Sequence, residues 1–181
     1  MQNETIVALS TPQGEGAIAV IRLSGPESIA TVNHYFSKNL AKAHSREAIF
    51  GRILENEDII DEVVVTVFKN PNSYTGEDVV EISCHASSYI VDTLLALLSR
   101  GAVCLAEPGE FTQRAYLNGK LNLSQAEAVA DLIASESKAA HRMTISQMRG
   151  GYSKELSSLR GRLGAHPERL HAPHSRQAPR K

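Results

Sequence analysis

Apolar residues fall first into short runs and then into helical stripes along this chain. Thr5–Leu9 is a short β-prone run, broken by Pro12 and the glycines of Ser10–Gly16. Ala17–Leu23 is rich in Ile and Val and predicts a buried strand. Ser24-Gly25-Pro26-Glu27 has the features of a helix start, because Pro is tolerated in a first turn and Glu suits the positive end of the dipole. Ile29, Val32, Tyr35 and Phe36 then share one face of a helix reaching about Ser37. Ala48–Leu54 and Glu62–Phe68 predict two more strands around a turn at Asn56-Glu57-Asp58. Lys69–Gly76 is a polar loop, and Asp78–Cys84 alternates as a strand. In Ser87–Ser99, Ile90, Leu94, Leu97 and Leu98 recur at helical spacing, with Gly101 as C-cap. Ala102–Leu105 is a short strand ended by Glu107-Pro108-Gly109.

The pattern then changes. Ser124-Gln125-Ala126-Glu127 has the form of a capping box, with Ser at the N-cap and Glu three residues on. A long helix is expected after it, with Ala128, Leu132, Ser135, Ala139 and Met143 along one stripe. It runs to about Gln147, before Gly150-Gly151, and resumes through Leu163. Strands mixed with helices and then helix alone predict an α+β domain over 1–120 and the beginning of a helical domain over 121–163. Residues 164–181 carry Pro167, Pro173 and Pro179, several His and Arg, and almost no apolar residues. Such a tail buries too little surface to offset its ordering entropy and is expected to be disordered.

Composition changes this picture in three respects. Aromatic residues are 5% and Trp is absent, so the core is expected to be aliphatic. The net charge of −1 gives no overall drive toward nucleic acid or membrane. That average hides a basic tail: Arg169, Arg176, Arg180 and Lys181 stand against Glu168 alone, so residues 165–181 sum to +3 and residues 1–164 to −4. Cys84 and Cys104 sit in apolar stretches and are expected to be buried free thiols in a reducing compartment. With no basic leader before the first strand and no apolar run near the ~20 residues of a membrane span, the expected location is the cytoplasm.

Several motifs look like chemistry and are better explained by structure. Gly14-Glu15-Gly16-Ala17-Ile18-Ala19 fits G-x-G-x-x-A, but it leads into a strand rather than opening a helix, so a turn between strands is expected. Gly119-Lys120 is followed by Leu121 and lacks the upstream glycine, so no Walker A loop is present. Cys84-His85 lacks further ligands at metal-binding spacing; a hydrogen-bonded histidine at a strand end is the expectation. Three polar features are less easily absorbed. Arg22 lies in an Ile/Val-rich strand, where a charge is costly unless paired. Ser73–Asp78 leads to Glu81 in a second apolar strand, and Glu107–Thr112 leads to Arg114, Asn118 and Lys120. Either Arg22 and Glu81 form a structural ion pair, or these groups line a pocket for a planar polar ligand.

The wording of these stretches resembles one family. Thr5–Ala8 with Thr11-Pro12-Gln13-Gly14-Glu15-Gly16, Ile21–Gly25, Pro71–Ile82, Pro108–Lys120 and Leu121–Ile133 are similar, in this order, to the N-terminal part of the tRNA-modifying GTPases of the MnmE (TrmE) family. The resemblance covers about residues 4–163 and ends before any GTPase domain. It departs at His85-Ala86-Ser87, where the family usually has His-Gly-Gly, and in the tail from residue 164, which matches nothing in the family.

The resemblance implies a tetrahydrofolate-binding and dimerisation domain, similar in fold to the T-protein of glycine cleavage, that holds 5-formyl- or 5,10-methylene-tetrahydrofolate as a homodimer. It implies a flavoprotein partner, MnmG (GidA), with which the family adds an aminomethyl or carboxymethylaminomethyl group to C5 of the tRNA wobble uridine. GTP, Mg2+ and K+ belong to the full-length family, and tRNA is met through the complex. The family's folate contacts carry over to Arg22, Glu81 and Lys120. Those residue types suit the ligand. A pterin edge offers adjacent N–H donors to a carboxylate, here Glu81, and anionic or carbonyl groups suit Arg22 or Lys120. The chain alone is then expected to lack GTPase activity. Two alternatives are a structural dimerisation fragment without folate binding and a free-standing folate-dependent aminomethyltransferase.

Overall fold

The computed structural model describes residues 4–14, 16–134 and 145. The elements follow in the order β1 (Thr5–Leu9), β2 (Ile18–Ser24), α1 (Ser28–Tyr35), β3 (Glu47–Glu55), β4 (Asp58–Phe68), β5 (Val79–His85), α2 (Ser88–Leu98), β6 (Val103–Leu105), α3 (Glu110–Leu117) and α4 (Leu123–Ala134). The fold is α+β, as expected. The strands form one mixed sheet in the order β3-β4-β5-β2-β1-β6. Its ladders are antiparallel except β1–β6, which is parallel because α2 carries the chain from β5 past two strands to the far edge.

Alternation along the strands separates two faces. Ala19, Ile21 and Leu23 of β2 and Val80, Ile82 and Cys84 of β5 point to one side and are buried. Val63, Val65 and Val67 of β4 join them beneath Val32 of α1 and Val91, Leu94, Leu97 and Leu98 of α2. The core is aliphatic, as the composition requires. The other face carries Val20 and Arg22 of β2, Glu81 and Ser83 of β5, Thr66 and Val64 of β4, and Phe50 of β3, aligned by the strand registers.

The structure corrects four local expectations. The helix expected from Ser24 starts at Ser28. Gly25 instead makes a turn at φ +129°, with the Glu27 amide donating to Thr5 Oγ1 and the Ser28 hydroxyl to the Gly25 and Asp78 carbonyls. At its other end Phe36 leaves the helix in extended conformation and bridges Ile53. Residues 110–117, read as a polar stretch, are helix α3. The capping box at the start of α4 is Asn122 with Gln125, not Ser124 with Glu127: the Asn122 amide donates to Gln125 Oε1 and the Gln125 amide to Asn122 Oδ1, each at 2.9 Å. Cys104 is exposed, whereas Cys84 is buried.

The chain divides into a compact unit of Met1–Ala126 and a second of Glu127–Lys181. The expected helical stripe beyond Ala134 and the tail from 164 lie outside the described residues. Among the described residues no helix is long and apolar enough to cross a membrane.

Candidate functional site

Antiparallel pairing of β2 with β5 sets Arg22 directly opposite Glu81 on the face of the sheet away from α1 and α2. Arg22 Nη2 lies 2.8 Å and Nε 2.9 Å from the same oxygen, Glu81 Oε1. The ion pair allowed by the sequence is therefore formed. It is not sealed off, since the two side chains are 25% and 27% exposed. Both guanidinium contacts fall on Oε1, and among the described residues no hydrogen bond reaches Oε2. Two aromatic rings flank the guanidinium: Arg22 Cζ is 5.3 Å from the Tyr74 ring centroid and 5.5 Å from that of Phe111. These are cation–π distances.

Tyr74 and Phe111 come from separate segments that are laced together. The Tyr74 hydroxyl shares a 2.9 Å hydrogen bond with Thr112. Asn118 Nδ2 donates to the Thr75 carbonyl at 2.8 Å, and Lys120 Nζ to the Pro71 carbonyl at 2.9 Å. Gly76 is needed where these strings cross. Its φ is +81°, and a Cβ there would lie 3.2 Å from both Asn118 Cβ and Lys120 Cγ. The loop is closed on itself by Ser73, whose hydroxyl donates to the Glu77 carbonyl and accepts from the Gly76 amide.

Beneath the lacing lies a buried ionic group. Ser24, two residues beyond Arg22 on the same face of β2, donates to Glu77 Oε2 at 2.7 Å and shares a 2.7 Å hydrogen bond with the Thr75 hydroxyl. Glu77 faces Arg114, which also binds Glu110 at 2.8 Å and the Glu4 carbonyl at 2.7 Å. Partial burial works against ionisation of Glu110, but the Glu107 amide and the Arg114 guanidinium prevail and hold its carboxyl below the ordinary carboxylate range.

Of the three residues singled out from the sequence, the structure joins Arg22 to Glu81 and leaves Lys120 on the Pro71 carbonyl. No hydrogen bond or ion pair links Lys120 to the other two among the described residues. Two clefts lie elsewhere. One of about 530 Å³ includes Pro12, Gln13, Gly14 and Ala86, and one of about 600 Å³ includes Glu77, Cys104, Glu110 and Arg114. Neither is lined by Arg22, Glu81 or Lys120. Sequence reasoning named Arg114 among the possible pocket groups without its burial, and it gave Tyr74 and Phe111 no role beyond membership of two polar stretches. The available signal was two aromatic residues inside otherwise polar stretches, which usually mark packing rather than solvation.

Outside this region, His85 ends β5 as expected of a hydrogen-bonded histidine: its Nδ1 lies 2.7 Å from Asp61 Oδ1, and its amide donates to Asp61 Oδ2. Ser10–Ala17 joins antiparallel β1 and β2, the turn expected of the glycine pattern. The Ala86 amide donates to the Ala17 carbonyl, and the Ala86 Cβ would be 3.8 Å from a Cβ built on Gly16, an ordinary contact.

Comparison with known proteins places these features in a family. The family described as "GTP-binding protein TrmE N-terminus" matches residues 5–120, which contain β1 to α3 and the site residues named above except Glu4. The chain is 54% identical over 168 residues to a "tRNA modification GTPase MnmE" of Bacteroides thetaiotaomicron, covering 90% of this chain and 36% of that protein. To the protein of the same description from Cytophaga hutchinsonii it is 56% identical over 161 residues, 88% of this chain and 35% of the relative. To that of Porphyromonas gingivalis it is 50% identical over 165 residues, with 88% and 35% covered. The chain thus spans about a third of the length of the curated relatives it matches. On the family match and these identities, the chain belongs to the TrmE N-terminal family of GTP-binding proteins.

Proposed function

We propose that this chain is the folate-holding, dimer-forming part of a protein that modifies C5 of the tRNA wobble uridine together with an MnmG-type flavoprotein. The tRNA role is supported by the relatives, described as tRNA modification GTPases. The folate role rests on one observation: a partly exposed Arg22–Glu81 pair, flanked by Tyr74 and Phe111, with one carboxylate oxygen that no hydrogen bond reaches among the described residues. The residues suit a 5-formyl- or 5,10-methylene-tetrahydrofolate, which when bound supplies the one-carbon unit. Glu81 accepts the adjacent N–H groups of the pterin edge through Oε2, while Arg22 orients the carboxylate through Oε1. The flanking rings offer apolar faces to a planar heterocycle. Lys120 exchanges the Pro71 carbonyl for an anionic group of the ligand, a stronger charge-assisted acceptor. GTP, with Mg2+ and K+, is not assigned to this chain, whose sequence contains no Walker A loop.

Titration calorimetry with 5-formyl-tetrahydrofolate tests this on the full chain and on Arg22→Ala and Glu81→Gln. The expected result is micromolar binding by wild type, weakened at least tenfold in both variants, or more than about 1.4 kcal/mol. Unchanged affinity in Glu81→Gln sinks the pterin assignment. A folded, dimeric wild type that binds no folate leaves a structural dimerisation fragment. That reading draws on the mutual satisfaction of Arg22 and Glu81 and on clefts that do not include them.

A further inference from the structure

Arg114 is buried, its side chain 9% exposed, and it stands between two carboxylates. A guanidinium is withdrawn from water at high cost and is held only where its donors are matched. Here the matching groups come from three separate places in the chain: the Glu4 carbonyl just before β1, Glu77 in the loop before β5, and Glu110 in the first turn of α3. Glu77 continues the chain of contacts to Ser24 and Thr75, next to Arg22 on β2. The two rings that flank Arg22 ride on the same clamped segments. Tyr74 is three residues before Glu77, and Phe111 is one residue after Glu110. Among the described residues no hydrogen bond or ion pair links Arg114 to Tyr74, Phe111, Arg22 or Glu81, yet it joins the segments that carry them.

We propose that Arg114 is a positioning residue: it sets the separation of Tyr74 and Phe111 across Arg22, and thereby the width of the slot that admits a planar heterocycle. This rests on the reading of Arg22 and Glu81 as a folate site. A single guanidinium can do this because its fork directs donors along fixed, divergent directions. The contact to Glu77, at 3.3 Å, is longer than that to Glu110, at 2.8 Å. The loop carrying Tyr74 is therefore the half of the slot that gives way first when the clamp is weakened. Lys at this position keeps the charge and reaches one carboxylate, but it cannot bridge both.

The test uses the full chain and the variants Arg114→Lys, Arg114→Met and Val32→Ala. The last removes core volume between α1 and the sheet, away from the clamp, and serves as a control of lowered stability. Each is titrated with 5-formyl-tetrahydrofolate, and amide hydrogen exchange is followed in the ligand-free state across residues 72–78 and 110–113. The expected result is at least tenfold weaker binding in Arg114→Met, partial recovery in Arg114→Lys and wild-type affinity in Val32→Ala. Exchange should rise selectively in the two segments of the Arg114 variants. Wild-type affinity in Arg114→Met, with wild type itself binding, overturns the proposal and leaves the folate reading intact. Equal losses in Val32→Ala and Arg114→Met overturn it too, since the loss then follows stability. If wild type binds no folate, the folate reading falls, and exchange decides the clamp: unchanged rates in Arg114→Met overturn it, whereas selectively raised rates uphold it as the determinant of loop position.

Discussion

The two cysteines have the same sequence surroundings and opposite fates. Each lies in an apolar run, and both were expected inside. Cys84 is on the core face of β5, its thiol donating toward the Ala19 carbonyl at 3.6 Å. Burial, and then the nearby Asp61 carboxylate, push its pKa up to about 11, against a small opposing effect of the backbone. Cys104 falls on the open side of β6, where only Val103 of the three strand residues is buried. Because the thiolate is the reactive species, the folded chain at neutral pH is expected to release Ellman's chromophore from one thiol quickly and from the other only in denaturant. Cys104→Ser should abolish the fast phase. Two thiols reacting at one rate in the native chain would contradict the burial of Cys84.

At the scale of elements, the junction of α1 with β3 depends on a residue chosen for its size. Phe36 terminates α1, turns to bridge Ile53, and lays its ring over Gly51. A Cβ at Gly51 would run into that ring and come within 3.0 Å of the Ser37 hydroxyl, although the backbone there needs no glycine conformation. Gly51→Ala is therefore expected to cost about 1–3 kcal/mol by overpacking, read from urea denaturation. Adding Phe36→Leu should return part of that loss, so that the double variant costs less than the two single ones together. A change under about 0.5 kcal/mol in Gly51→Ala would mean that the ring moves aside freely. The sequence shows why α1 was expected to run on: Phe36 completes the Ile29, Val32 face. That face continues past the helix only because β3 offers Phe36 a partner in extended conformation, a contact between segments that periodicity does not encode.

For the whole molecule, the informative surface is the face of the sheet opposite α1 and α2. Ile18, Phe50 and Val64 stand on it 66%, 57% and 37% exposed, and the register β3-β4-β5-β2 runs Phe50, Val64, Ser83 and Val20 in one row. Contiguous apolar residues on a regular, rigid face are typical of an association surface. We infer this face, with the Arg22–Glu81 pair in the adjoining row, as the packing surface of the proposed homodimer. Sedimentation of the wild-type chain is then expected to report a dimer, and Phe50→Asp a monomer with unchanged far-UV circular dichroism. A monomeric wild type, or a Phe50→Asp chain that stays dimeric, would remove this face from the dimer.

Much of this architecture is readable in the order of residues, because strand and helix periods are local. The strands at Thr5–Leu9 and Val79–His85 and the helix over α2 each announce themselves by spacing within a single segment. Arg22 and Glu81 stood out for a local reason as well, since an ionised group among Ile and Val requires a partner. Their identity as one another's partner was decided by the register of β2 on β5, between residues 59 apart in the chain. Helix α3 was missed because its few apolar residues, Phe111, Ala115 and Leu117, make a weak stripe, and Arg114 ties it to the distant Glu4 carbonyl and Glu77. The cap of α4 was placed two residues late because Ser124 and Glu127 satisfy the same spacing rule as Asn122 and Gln125, and only the backbone geometry selects between them. The sequence by itself determined the strands and the helices other than α3, which follow from side-chain period within single segments. Tertiary structure alone decided the lacing of residues 71–77 to 112–120 and the seat of Arg114, because those depend on polar groups that meet only after the sheet has formed.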